Sequence, residues 1–173
     1  MGVEMGNSIT SIGSYAFADC TSLMKVIIPD SVISIGSYAF ADCASLTNIT
    51  VSDENTAYKS IDGNLYSIDG KTLIQYAVGK TDTSVIIPDG VTAIGCAAFF
   101  YCTSLTSIVI PDGVTTIGDM AFAFCNSLTS VVIPDSVTEI GYYAFCWCTN
   151  LTSIKYLGTE EEWNAITKGY DWD

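Results

Sequence analysis

One spacing governs everything this chain can fold into: the pair Ile-Gly returns with its glycine at Gly13, Gly36, Gly95, Gly118 and Gly141, in steps of 23, 59, 23 and 23 residues. Other columns keep the same beat. They hold phenylalanine (Phe17, Phe40, Phe99, Phe122, Phe145), cysteine (Cys20, Cys43, Cys102, Cys125, Cys148) and leucine (Leu23, Leu46, Leu105, Leu128, Leu151). All four prolines, Pro29, Pro88, Pro111 and Pro134, occupy one repeat position and each precedes an aspartate. The unit reads L-x-x-I-x-I-P-D-x-V-x-x-I-G-x-x-A-F-x-x-C-x-x. A unit of this length cannot enclose a core of its own, so its apolar columns must be buried by stacking on neighbouring units.

Within a unit, Leu-x-x-Ile-x-Ile ends in the period-two alternation of a half-buried strand. Pro-Asp-Gly or Pro-Asp-Ser then stops it, because proline has no ladder donor and Asp-Gly favours a turn. Val-x-x-Ile-Gly predicts a second short extended or turn segment, and Ala-Phe-x-x-Cys at most one helical turn, with Phe and Cys inward. The expectation is a β-rich solenoid with one continuous interior. Its parallel strands should lie near 3–5, 26–28, 49–51, 85–87, 108–110, 131–133 and 154–156, about 4.8 Å apart.

The long step marks a unit with extra material, approximately 52–83, inside an irregular repeat spanning about 46–94. Apolar alternation on both sides of Asp69-Gly70 predicts a β-hairpin, and Asp62-Gly63 is a second turn signal. Near the other end, Thr159 with Glu162 forms a capping box, and three glutamates favour a helix N-terminus. A short helix over about 160–168 is expected there, with Trp163 and Ile166 on one face. The expected organisation is a solenoid over 1–157 followed by a C-terminal cap over 158–173. The first strand has no such cover and reads as an open edge.

These columns resemble the BspA-like, or treponemal-type, leucine-rich repeat. The run from Cys102 through Leu105, Ile108, Ile110-Pro111-Asp112-Gly113, Val114, Ile117-Gly118 and Ala121-Phe122 matches the family unit, and the resemblance covers nearly the whole chain. It implies a leucine-rich repeat right-handed superhelix with short parallel strands and minimal helix. The middle repeat would carry the hairpin insertion, and a short capping helix would follow. It also implies a bacterial cell-surface or secreted, adhesin-like protein with a protein partner, such as a host or matrix protein. Met1-Gly-Val-Glu-Met-Gly has neither the basic nor the apolar stretch of a signal peptide, and no anchor is visible, so an extracellular or cell-surface placement rests on the resemblance.

Composition narrows the chemistry. Of 173 residues, six are lysines and 19 are Asp or Glu; there is no arginine and no histidine, and the net charge is −13. Histidine triads, histidine zinc sites and arginine clamps on phosphate are excluded, and nucleic acid or an anionic membrane would be repelled. No apolar run reaches the roughly 18 residues of a membrane span. Five of the seven cysteines belong to one column, where parallel side chains point alike and pair poorly, so they are expected as buried thiols. Cys146-Trp-Cys148 lacks partners for a zinc site, and Cys96 has nothing to lower its pKa. The Asp column, Asp30, Asp89, Asp112 and Asp135, is read as turn chemistry, with Ca²⁺ the other use of stacked carboxylates. Without a base beyond carboxylates and lysines, the expectation is no enzyme, no cofactor and no metal.

Recognition is left to surfaces. Strand alternation turns Lys25, Ile27, Asn48, Thr50, Ser84, Ile86, Ser107, Val109, Ser130, Val132, Ser153 and Lys155, with Glu4, away from the core on the concave sheet face. Hydroxyl-bearing and β-branched residues form two stripes there. A row of Ile27, Ile86, Val109 and Val132 facing water is more apolar than solubility requires. The first expectation is therefore a non-enzymatic scaffold binding a protein, or less readily a glycan, on this face. The alternative is a structural spacer or self-assembling module, homo-oligomeric through the N-terminal strand. Tyr15, Tyr38 and Tyr143 share a column on another face and are a second contact candidate.

Overall fold

The computed structural model describes residues 1–173. Seven coils stack in register; six contribute one longer and one shorter strand, and coil 3 contributes four. Coil 1 carries β1 (Gly2–Glu4) and β2 (Ser11–Ile12), and coil 2 carries β3 (Lys25–Ile28) and β4 (Ser34–Ile35). Coil 3 holds β5 (Asn48–Val51), β6 (Tyr58–Ile61), β7 (Asn64–Ser67) and β8 (Thr72–Gln75). Coil 4 has β9 (Ser84–Ile86) and β10 (Ala93–Ile94), coil 5 β11 (Ser107–Val109) and β12 (Thr116–Ile117), and coil 6 β13 (Ser130–Ile133) and β14 (Glu139–Ile140). Coil 7 closes the series with β15 (Ser153–Tyr156), α1 (Glu160–Ala165) and β16 (Thr167–Lys168). The long strands fall within one residue of the positions expected from the repeat. Pairing is parallel at the repeat offset, as in Ser107↔Ser130, Ile108↔Val131 and Val109↔Val132.

Three ladders explain the columns. Threonine hydroxyls double the backbone bonds: Thr106 N–H and Oγ1 both donate to the Thr83 carbonyl, at 2.8 and 3.0 Å, and Thr129 repeats this on Thr106. The glycine of the Ile-Gly pair in coils 2, 4, 5 and 6 is where the coil lies against the one before it: a Cβ on Gly118 would sit 2.8 Å from the Cys96 nitrogen. The Ala-Phe-x-x-Cys segment is not a helical turn. Alternate N–H groups bond within the coil (Ala98 to Gly95, Phe100 to Ala97) and across to the next coil (Ala97 to Asp119, Phe99 to Ala121, Tyr101 to Ala123). This ladder of turns requires positive φ at two positions per coil, and non-glycine residues fill both. Tyr15, Tyr38, Ala97, Met120 and Tyr143 occupy the first, and Asp19, Asp42, Tyr101, Phe124 and Trp147 the second.

The interior is not continuous. Two buried clusters form, one of 13 residues in the first coils and one of 27 in the later ones. The phenylalanine file shows the division. Phe17 stacks on Phe40 at 5.5 Å, and a second file runs Tyr76, Phe99, Phe122, Phe145 with ring centroids 4.9–5.1 Å apart. Tyr76 takes the phenylalanine position of coil 3, and Trp172 ends the file edge-on to Phe145.

The division follows from coil 3. The hairpin expected around Asp69-Gly70 is present as β7–β8, and Asp62-Gly63 turns β6 antiparallel onto β7, so the insertion is three-stranded. Its last strand, β8, joins β10, β12, β14 and β16 in the sheet of short strands, whereas β2 and β4 form a separate pair. The long strands likewise divide into β1-β3-β5 and β9-β11-β13-β15. Side chains of the insertion close the β5 and β4 edges. Ser60 Oγ accepts from Val51 N–H and donates to the Ile49 carbonyl, both at 2.8 Å, and Tyr58 OH accepts from Ile35 N–H at 2.9 Å. Buried Asn55 pins the start of the insertion, its Nδ2 donating to Pro29 and Val32 carbonyls and its Oδ1 accepting from Ala57 and Tyr58 N–H.

The capping box on α1 is present: Thr159 and Glu162 bond reciprocally. The helix is shorter than the expected 160–168. After it, β16 pairs with β14 and Tyr170 and Trp172 carbonyls accept from Tyr143 and Phe145 N–H, so residues 167–172 resume the coil beside the helix. Trp163 packs on Tyr156 and Trp172 at 5.3 and 5.6 Å.

Candidate interaction surface

The twelve residues expected on one sheet face do not form one strip. Lys25, Ile27, Asn48 and Thr50 lie on the first three-stranded sheet, and the Cβ position of Gly63 would meet Asn48 Nδ2 at 3.0 Å, so the insertion crowds that strip's inner edge. Ser84, Ile86, Ser107, Val109, Ser130, Val132, Ser153 and Lys155 share the second, four-stranded sheet. The physical reason is that β5 and β9 are not hydrogen-bonded neighbours: 32 residues of insertion and turn separate them in sequence, and β6–β7 occupies the β5 edge.

On the second strip the registers are Ser84↔Ser107↔Ser130↔Ser153 and Ile86↔Val109↔Val132↔Lys155. A serine file thus runs beside an aliphatic file that ends in a lysine. Ile86 is 93% exposed and Val109 61%, because β9 pairs on one side only and no strand shields its other edge. Its inward neighbour Val85 is only half-buried, whereas Ile108 and Val131 in the same column are buried. A hollow of about 380 Å³ opens here, framed by β9, β11 and the carboxylate of Asp89. An edge with free backbone groups beside an exposed aliphatic file can receive an extended chain or a convex apolar surface. It offers no nucleophile or base.

Elsewhere the ionisable groups are structural. All seven cysteines are free thiols. In the repeat column the thiol donates to the phenylalanine carbonyl of the preceding coil: Cys43 to Phe17, Cys125 to Phe99 and Cys148 to Phe122, at 3.0–3.2 Å. Burial pushes the Cys43 thiol up to about 12 and that of Cys102 up to about 11. Cys96 is raised as well by burial, and its partner is the Tyr38 hydroxyl. Asp30, Asp89, Asp112 and Asp135 are exposed in their turns, and no group of three or more Cys, Asp or Glu side chains is placed to hold a metal ion. Lys80 folds inward, donating to the Asp62 carbonyl and Asn64 Oδ1, and burial lowers its pKa.

Of the tyrosine column, Tyr15 and Tyr38 stack at 4.9 Å, while Tyr143 is separated from them by Ala97 and Met120 and meets Tyr170 edge-on. The sequence reading missed the stronger aromatic file four residues on, Tyr101, Phe124 and Trp147, stacked at 4.6 and 6.1 Å. The repeat offset between them was the available signal. It was masked because coils 1 and 2 carry Asp19 and Asp42 in that column.

The sequence matches the model of the BspA type leucine rich repeat region in six copies, over residues 2–73 and 75–167. The chain belongs to this family. Solved structures of similar repeat proteins agree. A leucine-rich repeat protein from Eubacterium ventriosum is 32% identical over 90% of this BspA-type chain, with a TM-score of 0.85. A leucine rich cell surface protein from Faecalibacterium prausnitzii is 34% identical over 94%, with a TM-score of 0.53. The pneumococcal vaccine antigen PcpA shares the fold, with a TM-score of 0.76 at 24% identity over 95% of this chain. The chain spans 41% of the Eubacterium protein, 55% of the Faecalibacterium protein and 47% of PcpA. Comparison with curated proteins gives no match. The family is a leucine-rich repeat scaffold, and no catalytic family is indicated. No helix is long and apolar enough to cross a membrane.

Proposed function

We propose that this BspA-type chain is a non-enzymatic recognition scaffold of a bacterial surface or secreted protein, and that its partner protein is bound on the four-stranded sheet β9-β11-β13-β15. The observation that carries the reading is the exposed pair Ile86 and Val109 on a strand with one free edge. The file is more apolar than the strands require, because threonine, equally β-branched, would serve on their outside without exposing aliphatic surface. The similarity to a bacterial cell surface protein and to a vaccine antigen supports the location. The earlier twelve-residue surface narrows to the eight on this sheet.

The test is surface plasmon resonance against a panel of purified extracellular-matrix glycoproteins. Binding to a panel member should weaken at least about tenfold in Ile86→Lys/Val109→Lys, equivalent to about 1.4 kcal/mol, and stay unchanged in Lys25→Ala/Thr50→Ala on the other sheet. Equal loss in both variants, or none in the first, overturns the assignment.

A further inference from the structure

We propose that the aromatic file Tyr101, Phe124 and Trp147, with Phe100 beside it, is a second docking surface, and that its occupant is an extended, proline-containing segment bearing lysine or arginine. This inference does not depend on the sheet surface, from which the turn ladder is a separate face of the coil.

The residue choice is the first observation. The turn column needs left-handed backbone, and Asp19 and Asp42 meet that need in coils 1 and 2 with φ of 58° and 53°. Aspartate tolerates this region, while bulky side chains lose roughly 1–2 kcal/mol there. Coils 4, 5 and 6 nonetheless place Tyr101, Phe124 and Trp147 in it, at φ of 59°, 61° and 59°. Stacking offsets part of that cost but does not account for exposure: Trp147 is 64% exposed. Phe100 meets both Tyr101 and Phe124, at 5.2 and 5.5 Å, and reaches Tyr38 edge-on. A continuous aromatic ribbon therefore spans the gap between the two buried clusters.

Charge identifies the occupant. Carboxylates lie along the line of the ribbon. Asp173 shares a hollow with Trp147 at one end. At the other, coil 3 places buried Val78 in the column, and Asp42 and Asp19 follow beyond it, where Asp19 helps burial to raise the Asp42 pKa. None of the six lysines lies in this column, and the protein's net charge of −13 has no arginine to offset it. A cationic partner is attracted and an acidic one repelled. Geometry favours a peptide over a sugar. Tyr101 and Phe124 are 8° from parallel, which covers their facing sides and leaves a row of ring edges, with Trp147 at the end stacked on one side only; a row of edges suits a chain laid along it better than sugars, which stack on open faces. Alternate coils stand about 9.6 Å apart at a strand spacing of about 4.8 Å, close to the rise of about 9.3 Å per turn of polyproline II. Prolines would then meet the ring edges of every second coil, with cationic side chains reaching the flanking carboxylates.

The experiment is isothermal titration of the whole chain with a synthetic peptide of repeated Arg-Pro-Pro units. A Glu-Pro-Pro peptide and a neutral oligosaccharide serve as controls. The test variant is Tyr101→Asn/Phe124→Asn/Trp147→Asn, since asparagine accepts the left-handed turn; Trp147→Asn alone is the fallback if the triple variant fails to fold. The Arg-Pro-Pro peptide should bind, weaken with salt, and bind at least about tenfold less tightly to the variant while the charge-neutral Thr50→Ala on the first sheet leaves it unchanged. No binding to the natural sequence, equal binding to the folded variant, or equal binding of either control overturns the proposal.

Discussion

Three cysteines of the repeat column, Cys43, Cys125 and Cys148, donate to the carbonyl of the phenylalanine one coil back, and each thiol must stay protonated to do so. Cys43 makes the sign plain. Its pKa rises from an ordinary 9.0 to about 12 on folding, so the folded form holds its proton more tightly than the unfolded chain does. Stability from this group is intact below about pH 9 and is lost as pH climbs towards 12. Tyr66, raised to about 12 by burial, acts in the same direction. Urea unfolding midpoints should therefore be flat from pH 7 to about 8.5 and fall above it. Ellman's reagent at pH 8 should modify Cys146 quickly and Cys125 only on the timescale of global unfolding.

At the scale of elements, Ser60 stands in for a strand. Its hydroxyl joins Val51 N–H to the Ile49 carbonyl where the next ladder would begin. Ser60→Ala leaves both backbone groups unpaired and should cost about 1–3 kcal/mol in chemical denaturation. This substitution of a side chain for a strand is what the sequence could not reveal. Long strands, the phenylalanine file and the β7–β8 hairpin were legible because each repeats a column or an alternation. Strand β6 was not, since Tyr58-Lys-Ser-Ile reads as an ordinary tail of the insertion. Nor were the left-handed turns, which tertiary stacking imposes on Tyr, Phe and Trp against their local preference. The expected interaction face was half legible for the same reason: alternation reported which side chains point outward, and only coordinates showed that β5 and β9 are not partners.

Over the whole molecule, the stack behaves as two bodies of unequal size. The first cluster draws 13 buried residues from coils 1–3 and the second 27 from coils 3–7, with Tyr66, Leu73, Tyr76 and Val78 of coil 3 in the second, so the first body has the smaller core. In a repeat protein, stability is close to a sum of unit and neighbour terms. Hydrogen exchange followed by mass spectrometry should show amides of β3 and β5 exchanging ahead of those of β11 and β13. A single uniform exchange class across all coils would contradict the division. The two sheets, however, do not part at the same level. Between coils 2 and 3 the long strands β3 and β5 stay bonded while β4 and β8 are separate, and between coils 3 and 4 it is β8 and β10 that hold while β5 and β9 are apart. Like the offset joints of a brick wall, the staggering leaves no level at which tension along the stack meets only loose packing, so a tethered molecule under pull carries its load through whichever wall is whole.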